Sequence, residues 1–117
     1  MRFLSIYKAR ESNVPPTPEH MAAMGKLIDE MTKAGVLIAT EGCLPSANGA
    51  RIRIDGGKFS VTDGPFVESK ELIGGFALLE AKSKEDAIEA TKVFLNVVGE
   101  GECEIRQLYE APAAAAR

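Results

Sequence analysis

The chain of 117 residues has no tryptophan, a single histidine and two cysteines, and its formal net charge is -3. One histidine and no Cys-x-x-Cys spacing leave too few ligands for a zinc site of the usual kind. The small negative charge supplies none of the positive potential that non-specific nucleic-acid binding requires. We therefore expect no metal site and no direct contact with DNA or RNA.

Long apolar runs are also missing. No segment approaches the roughly 20 residues that a membrane-spanning helix requires, and the apolar run over residues 1–8 is too short for a signal-peptide core. We expect a cytoplasmic protein without membrane contact. Because a reducing compartment disfavours disulfides, we predict that Cys43 and Cys103 are buried or half-buried thiols, with a bridge between them as the alternative.

What is present is typical of one globular domain: 45% of the residues are hydrophobic and 26% are charged. A chain of this length buries one core but not two. We predict a single domain over residues 1–110. The alanine-rich segment 111–117 has little to bury, and we expect it to be a frayed tail.

Strand-like and helix-like patterns alternate along the chain. Apolar recurrence at three and four residues predicts helices over 18–34 and from Ser83 to near Gly99. Gly56 and Gly57 stand between two alternating runs and predict a hairpin turn. Strands are predicted over residues 2–9, 36–41, 51–54, 58–62, 74–81 and 103–109.

The order of elements is strand, helix, strand, hairpin, strand, helix, strand. Two βαβ units around a hairpin predict an α+β, ferredoxin-like sandwich with an antiparallel sheet and both helices on one face. The other face keeps apolar residues, and an exposed apolar surface of that size is typical of an interface. We predict a homodimer in which two sheets meet as a dimeric α+β barrel.

Polar side chains interrupt the predicted strands. Tyr7, Glu80 and Gln107 are assigned to one face of the sheet together with Ser5 and Thr40. Buried polar groups must find partners, so Tyr7, Glu80 and Gln107 are candidate ligand-binding residues lining a pocket in the barrel. A hydrogen-bond network across the dimer interface is the alternative.

The segment VTDGPFVESKELIGGF, from Val61 to Phe76, closely resembles the signature of the DGPF group in the YCII-related family. Leu44-Pro45 after the second strand and the run 103–106 in the last strand also fit, so the resemblance covers nearly the whole chain. It implies a dimeric α+β barrel.

The resemblance implies two classes of function. YCII members are similar to small dimeric-barrel enzymes and are suspected of catalysis through a His and Asp pair. That likeness favours binding of a small polar metabolite beside Asp63, with acid/base catalysis that needs no cofactor. DGPF members resemble companions of extracytoplasmic-function sigma factors, which favours a non-catalytic regulatory or scaffold module.

Asp63 is the main catalytic candidate. Its carboxylate either accepts backbone amides across Gly64-Pro65 as a turn former or acts at a cleft as a general base. Lys70 is a candidate ligand-binding residue that would keep this carboxylate ionised. We expect a positive φ at Gly64. His20 is interpreted as a solvated residue of the first helix, with a general base as the alternative.

Overall fold

The computed structural model describes residues 1–12 and 14–110, so the tail predicted over 111–117 lies outside the described residues. Each predicted helix and strand is found within two residues of its predicted bounds. The elements are β1 (Arg2–Ala9), α1 (Pro18–Lys33), β2 (Leu37–Gly42), a short 3-10 helix (Ser46–Asn48), β3 (Ala50–Asp55), β4 (Lys58–Asp63), β5 (Leu72–Glu80), α2 (Lys84–Val98) and β6 (Glu102–Gln107).

The sheet has four antiparallel strands in the order β2-β5-β1-β6, and β3 pairs with β4 in a separate hairpin. Strand β1 is central, since Phe3 lies opposite Leu79 on β5 and opposite Gln107 on β6. This strand order, with one helix after each of two strands, is that of a ferredoxin-like sandwich. The predicted α+β fold class is confirmed.

Both helices begin at the capping residues that the sequence indicates. The Thr17 hydroxyl accepts the His20 amide at 3.1 Å, and the Ser83 hydroxyl accepts the Asp86 amide at 3.1 Å. Gly99 ends α2 with a φ of 91°, which favours glycine. Within residues 1–12 and 14–110, neither helix is long and apolar enough to cross a membrane.

The buried core is small and lies between the helices and one face of the sheet. Its hydrophobic members are Phe3, Leu37, Leu79 and Ala87. Met31, near the end of α1, packs against it from outside. Helix α2 contributes two buried residues to this layer, whereas α1 contributes none. Both helices therefore cover the same face of the sheet, and α2 packs against it more closely than α1 does.

The pairing register corrects one predicted assignment of faces. Tyr7 lies opposite Gly75, whereas Glu80 lies opposite Arg2. Odd and even positions of β1 point to opposite faces of the sheet, so Tyr7 and Glu80 do not share a face. The prediction that Glu80 accompanies Tyr7 and Gln107 on one face is wrong. The alternation of side chains sorts the residues of one strand into two sets on opposite faces. It does not show which set faces the helices.

The face of the sheet away from the helices, here the open face, is apolar along its centre. Glu104 lies on it between Lys8 at 3.0 Å and Arg106 at 2.8 Å. Those two cations hold the pKa of the Glu104 carboxyl below its usual value. The apolar part of the open face consists of Leu4, Ile6, Phe76 and Leu78.

The hairpin of β3 and β4 has no buried residue. Cross-strand pairing puts four apolar side chains on one face, each 60% to 73% exposed. This hairpin face consists of Ile52, Ile54, Phe59 and Val61. Gly56 and Gly57 form the turn with φ values of 58° and 80°, which confirms the predicted hairpin. Within residues 1–12 and 14–110, nothing buries this hairpin face.

Candidate ligand site

A cavity of about 930 Å³ lies between the two helices and the sheet. This volume lies within the range of small-molecule sites. Its apolar wall includes Met24, Leu27, Ile28 and Met31 of α1 together with Phe94 and Val98 of α2. Its polar lining includes Ser5, Tyr7, His20, Thr40, Thr91 and Cys103. The structure thus brings Tyr7 and His20, two predicted site residues, to one cavity.

Tyr7 is held in place by its surroundings. Its hydroxyl donates to the Glu100 carbonyl oxygen at 2.9 Å, and its ring meets Phe94 edge-on with centroids 5.4 Å apart. A Cβ at Gly101 would lie 2.5 Å from the Tyr7 ring, so glycine leaves room for the phenol. Burial raises the pKa of the Tyr7 hydroxyl, and the nearby Glu100 carboxylate adds to the effect. Tyr7 therefore presents a neutral phenol to the cavity.

Cys103 lies opposite Tyr7 on β6 and also lines the cavity. Burial raises the pKa of its thiol, although a hydrogen bond with Ser5 opposes the effect. A protonated thiol is a poor nucleophile, so Cys103 supplies packing and weak polarity rather than attack. Both cysteines are free, as predicted, and Cys103 is half-buried, whereas the predicted burial of Cys43 is wrong because Cys43 is exposed.

His20 lies in the first turn of α1, half-buried, and lines the cavity. Its backbone amide is occupied by the Thr17 cap. The imidazole has two nitrogens that can donate or accept, and imidazole is the side chain that most often transfers protons near neutral pH. Its position at the cavity supports the alternative that we set beside the solvated interpretation.

The other predicted site residues lie outside the lining of this cavity. Asp63 ends β4 and is exposed, Lys70 is exposed in the loop before β5, and Gln107 is exposed at the end of β6. The Glu80 carboxylate accepts the Met1 ammonium at 2.6 Å. The ligand-binding and catalytic roles of these four residues stay predictions, and the structure does not join them to the cavity.

The Asp63–Phe66 turn packs on Ser46. The Phe66 amide donates to the Ser46 hydroxyl at 3.1 Å, and the Gly64-Pro65 peptide bond is cis. The predicted positive φ at Gly64 is wrong, because Gly64 is not among the glycines in that region. Glycine is needed there for space, since a Cβ would lie 1.6 Å from the Ser46 carbonyl oxygen.

Sequence reasoning missed Ser46 and Glu11. Ser46 is buried, and both its amide and its hydroxyl donate to the Glu11 carboxylate, with 3.0 Å between Oγ and Oε2. The residues are 35 positions apart. Pro45 before Ser46 signals a turn, but no local pattern indicates a partner at that distance.

Arg51 joins the hairpin to the loop that follows the turn. Its guanidinium forms an ion pair with Glu68, donates to the Ser69 hydroxyl at 3.1 Å and lies 3.9 Å from the centre of the Phe66 ring. A backbone hydrogen bond within Glu68, together with Arg51, lowers the pKa of the Glu68 carboxyl. The hairpin and the turn are therefore mechanically linked.

Metal ligands are not gathered in the part of the chain that the structure describes: no three His, Cys, Asp or Glu side chains are close enough to hold an ion. The polar groups of the cavity can instead donate, accept or transfer protons.

The family model of the YCII-related domain matches residues 1–111. This range includes every helix and strand described above, the cavity and the Asp63–Phe66 turn. No curated protein matches the chain.

Proposed function

The chain belongs to the YCII-related family, and on this premise we propose that it binds a small metabolite in the cavity between the helices and the sheet. The observation that supports this is the convergence of Tyr7, His20 and Cys103 on one largely apolar cavity. Apolar walls with a few placed polar groups are typical of small-molecule sites. This cavity lies apart from Asp63, the residue beside which the sequence predicts the cleft.

The lining favours a ligand with an apolar body and one polar end. Met24, Leu27 and Phe94 offer contact to the body. The polar end meets Tyr7 or His20. The Tyr7 hydroxyl already donates to the Glu100 carbonyl oxygen and can accept a hydrogen bond, whereas the His20 imidazole can donate or accept one. A small metabolite of this kind satisfies both parts of the wall.

His20 is the residue that we propose to move a proton. Acid/base catalysis by imidazole needs only a substrate proton within hydrogen-bond reach, and no cofactor. The neutral Tyr7 phenol would orient the polar end of the ligand. Asp63, exposed at the end of β4, remains a second candidate for the same chemistry.

The fluorescent dye 8-anilinonaphthalene-1-sulfonate tests the site without a known ligand. We expect it to bind the wild type, and we expect Met24→Trp, which puts a larger side chain into the cavity, to weaken binding by about tenfold or more. Met21→Trp is the matched control, because Met21 lies on the same helix and is 61% exposed. Equal affinities of both variants would contradict the proposal. A metabolite that displaces the dye then identifies the ligand class.

We also propose that the protein is a homodimer formed through the open face. The chain exposes 8831 Å², against about 6,200 Å² for a compact monomer of 12.5 kDa. Residues 111–117 lie outside the described residues, and roughly 1,000 Å² of the excess is set aside for them. The rest exceeds the roughly 800 Å² that each partner buries in a standard interface.

Light scattering at micromolar concentration tests the dimer, with about twice the chain mass expected. Phe76→Asp, on the open face, should give a folded monomer, because it places a charge in the proposed interface. A folded wild-type monomer, or a dimer that survives this change, would remove the open-face interface and with it the barrel.

The second candidate function is a non-catalytic regulatory or scaffold module. The uncovered hairpin face supports it, because four exposed apolar side chains on one surface offer a site for another protein. Membership of the DGPF group, association with an extracytoplasmic-function sigma factor and a cytoplasmic location stay predictions. A sigma factor that copurifies with the wild type but not with Phe59→Asp would favour this function over ligand binding.

A further inference from the structure

We propose that Ser46 and Glu11 couple the Asp63–Phe66 turn to the wall of the cavity, so that the turn shapes the ligand site from outside it. In this role both are positioning residues. The expected effect of this coupling on ligand binding rests on the proposed function, which is ligand binding in the cavity. The coupling itself does not depend on that proposal.

The first link joins the turn to Ser46. The Phe66 amide donates to the Ser46 hydroxyl at 3.1 Å. Gly64 approaches the same residue so closely that even a methyl group would collide with its carbonyl oxygen. The turn and the 3-10 helix that begins at Ser46 must therefore move together.

The second link joins Ser46 to Glu11. The Ser46 hydroxyl accepts a hydrogen bond from the Phe66 amide and donates one to Glu11 Oε2, while the Ser46 amide donates to Glu11 Oε1. One carboxylate thus holds two donors of a buried residue. Hydrogen bonds to a charged acceptor are stronger than neutral ones, and bonds in a chain polarise one another.

The third link joins Glu11 to the cavity. Glu11 follows β1 and directly precedes Ser12, which lines the cavity together with residues 14–17. At the far end of this wall segment, Thr17 caps the helix turn that carries His20. Glu11 anchors the near end of this segment. If its contacts with Ser46 are lost, the segment is held only at Thr17.

Hydrogen exchange measured by mass spectrometry tests the coupling on the full chain. We expect Glu11→Gln to speed exchange about tenfold both in residues 10–17 and in residues 64–67, because the two Ser46 donors lose their charged acceptor. Ser46→Ala should also speed exchange in both segments, because the Ser46 hydroxyl contacts both Glu11 and Phe66. Glu30→Gln, an exposed change on α1, is the control and should alter neither segment.

A response confined to residues 10–17 in Glu11→Gln would overturn the proposal, since the turn would then be independent of the wall. Should Glu11→Gln fail to fold, Glu11→Asp retains the charge one methylene further away and is expected to loosen both segments to a smaller, equal extent. An unequal response in that variant would have the same meaning.

Dye affinity separates this inference from the proposed function. If the dye binds the cavity, Glu11→Gln should weaken it several-fold while Glu30→Gln leaves it unchanged. If wild-type protein does not bind the dye, ligand binding in the cavity is contradicted, and the exchange result alone decides the coupling. If the dye binds equally to both variants although exchange is coupled, the turn does not shape the site.

Discussion

Helices α1 and α2 occupy equivalent places in the two βαβ units but pack differently on the sheet. Helix α2 buries Ala87 completely and Thr91 almost so, whereas α1 buries no residue. Small side chains let α2 approach the strands closely. On α1, the longer Met24 and Leu27 line the cavity instead. In this protein the cavity arises because one helix stands away from the sheet.

The largest effect is expected where α2 touches the sheet. Ala87→Leu adds a branched side chain to a fully buried position and should lower the free energy of unfolding by about 3 kcal/mol. The same change at exposed Ala23 on α1 should stay within about 0.5 kcal/mol. Urea unfolding measures both. Similar losses would show that α1 packs as tightly as α2.

An intermediate effect is expected in the reactivity of the two cysteines. Thiolate is the species that iodoacetamide alkylates, and burial raises the pKa of Cys103 in the cavity. At pH 8 we expect exposed Cys43 to react at least about tenfold faster, because its thiol is open to the reagent whereas that of Cys103 is half-buried. Mass spectrometry of timed samples gives both rates. Equal rates would mean that the cavity is open enough to leave Cys103 fully solvated.

The smallest effect is expected at Tyr7, which joins the cavity to α2 through Phe94. Tyr7→Phe removes the hydrogen bond to Glu100 and should cost about 1 kcal/mol near neutral pH. Tyr109→Phe is the control, since Tyr109 is 98% exposed. Urea unfolding at pH 7 compares the two variants.

The same variant has a signature in alkaline solution. The pKa of Tyr7 is higher in the folded protein than in the unfolded chain. The Tyr7 hydroxyl therefore contributes fully to the free energy of unfolding below about pH 10, and this contribution is lost as the pH rises through the pKa of the folded protein. The difference in the free energy of unfolding between wild type and Tyr7→Phe should therefore become smaller above about pH 10. A difference that stays constant with pH would mean that the Tyr7 hydroxyl is solvated in the folded protein as it is in the unfolded chain.

Most of the fold could be predicted because its signals are local. Thr17 and Ser83 are caps, Gly56-Gly57 is a turn pair, and each lies beside the element that it delimits. The face of Glu80 could not be predicted, because the relative phase of two strands depends on which side chains meet the helices. That is a property of the assembled sheet.

The candidate site was predictable only by residue type. Tyr7 and His20 stood out as a polar group in a strand and a single imidazole, but their meeting depends on how far α1 stands from the sheet. The contact between Glu11 and Ser46 had no signal at all, since its two loops are brought together by the fold. The role of Asp63 stays a prediction, and the structure adds that Asp63 is exposed.

The central place of β1 has a consequence for synthesis on the ribosome. The first strand receives its neighbours from β5 and β6, so Phe3 has no partner until Leu79 has been made and only one until Gln107 follows. At about 5–20 residues per second, this apolar strand waits for roughly 5–20 s. Such long-range pairing is slow to form. During this interval β1 keeps two unpaired edges, and unpaired strand edges are prone to aggregation.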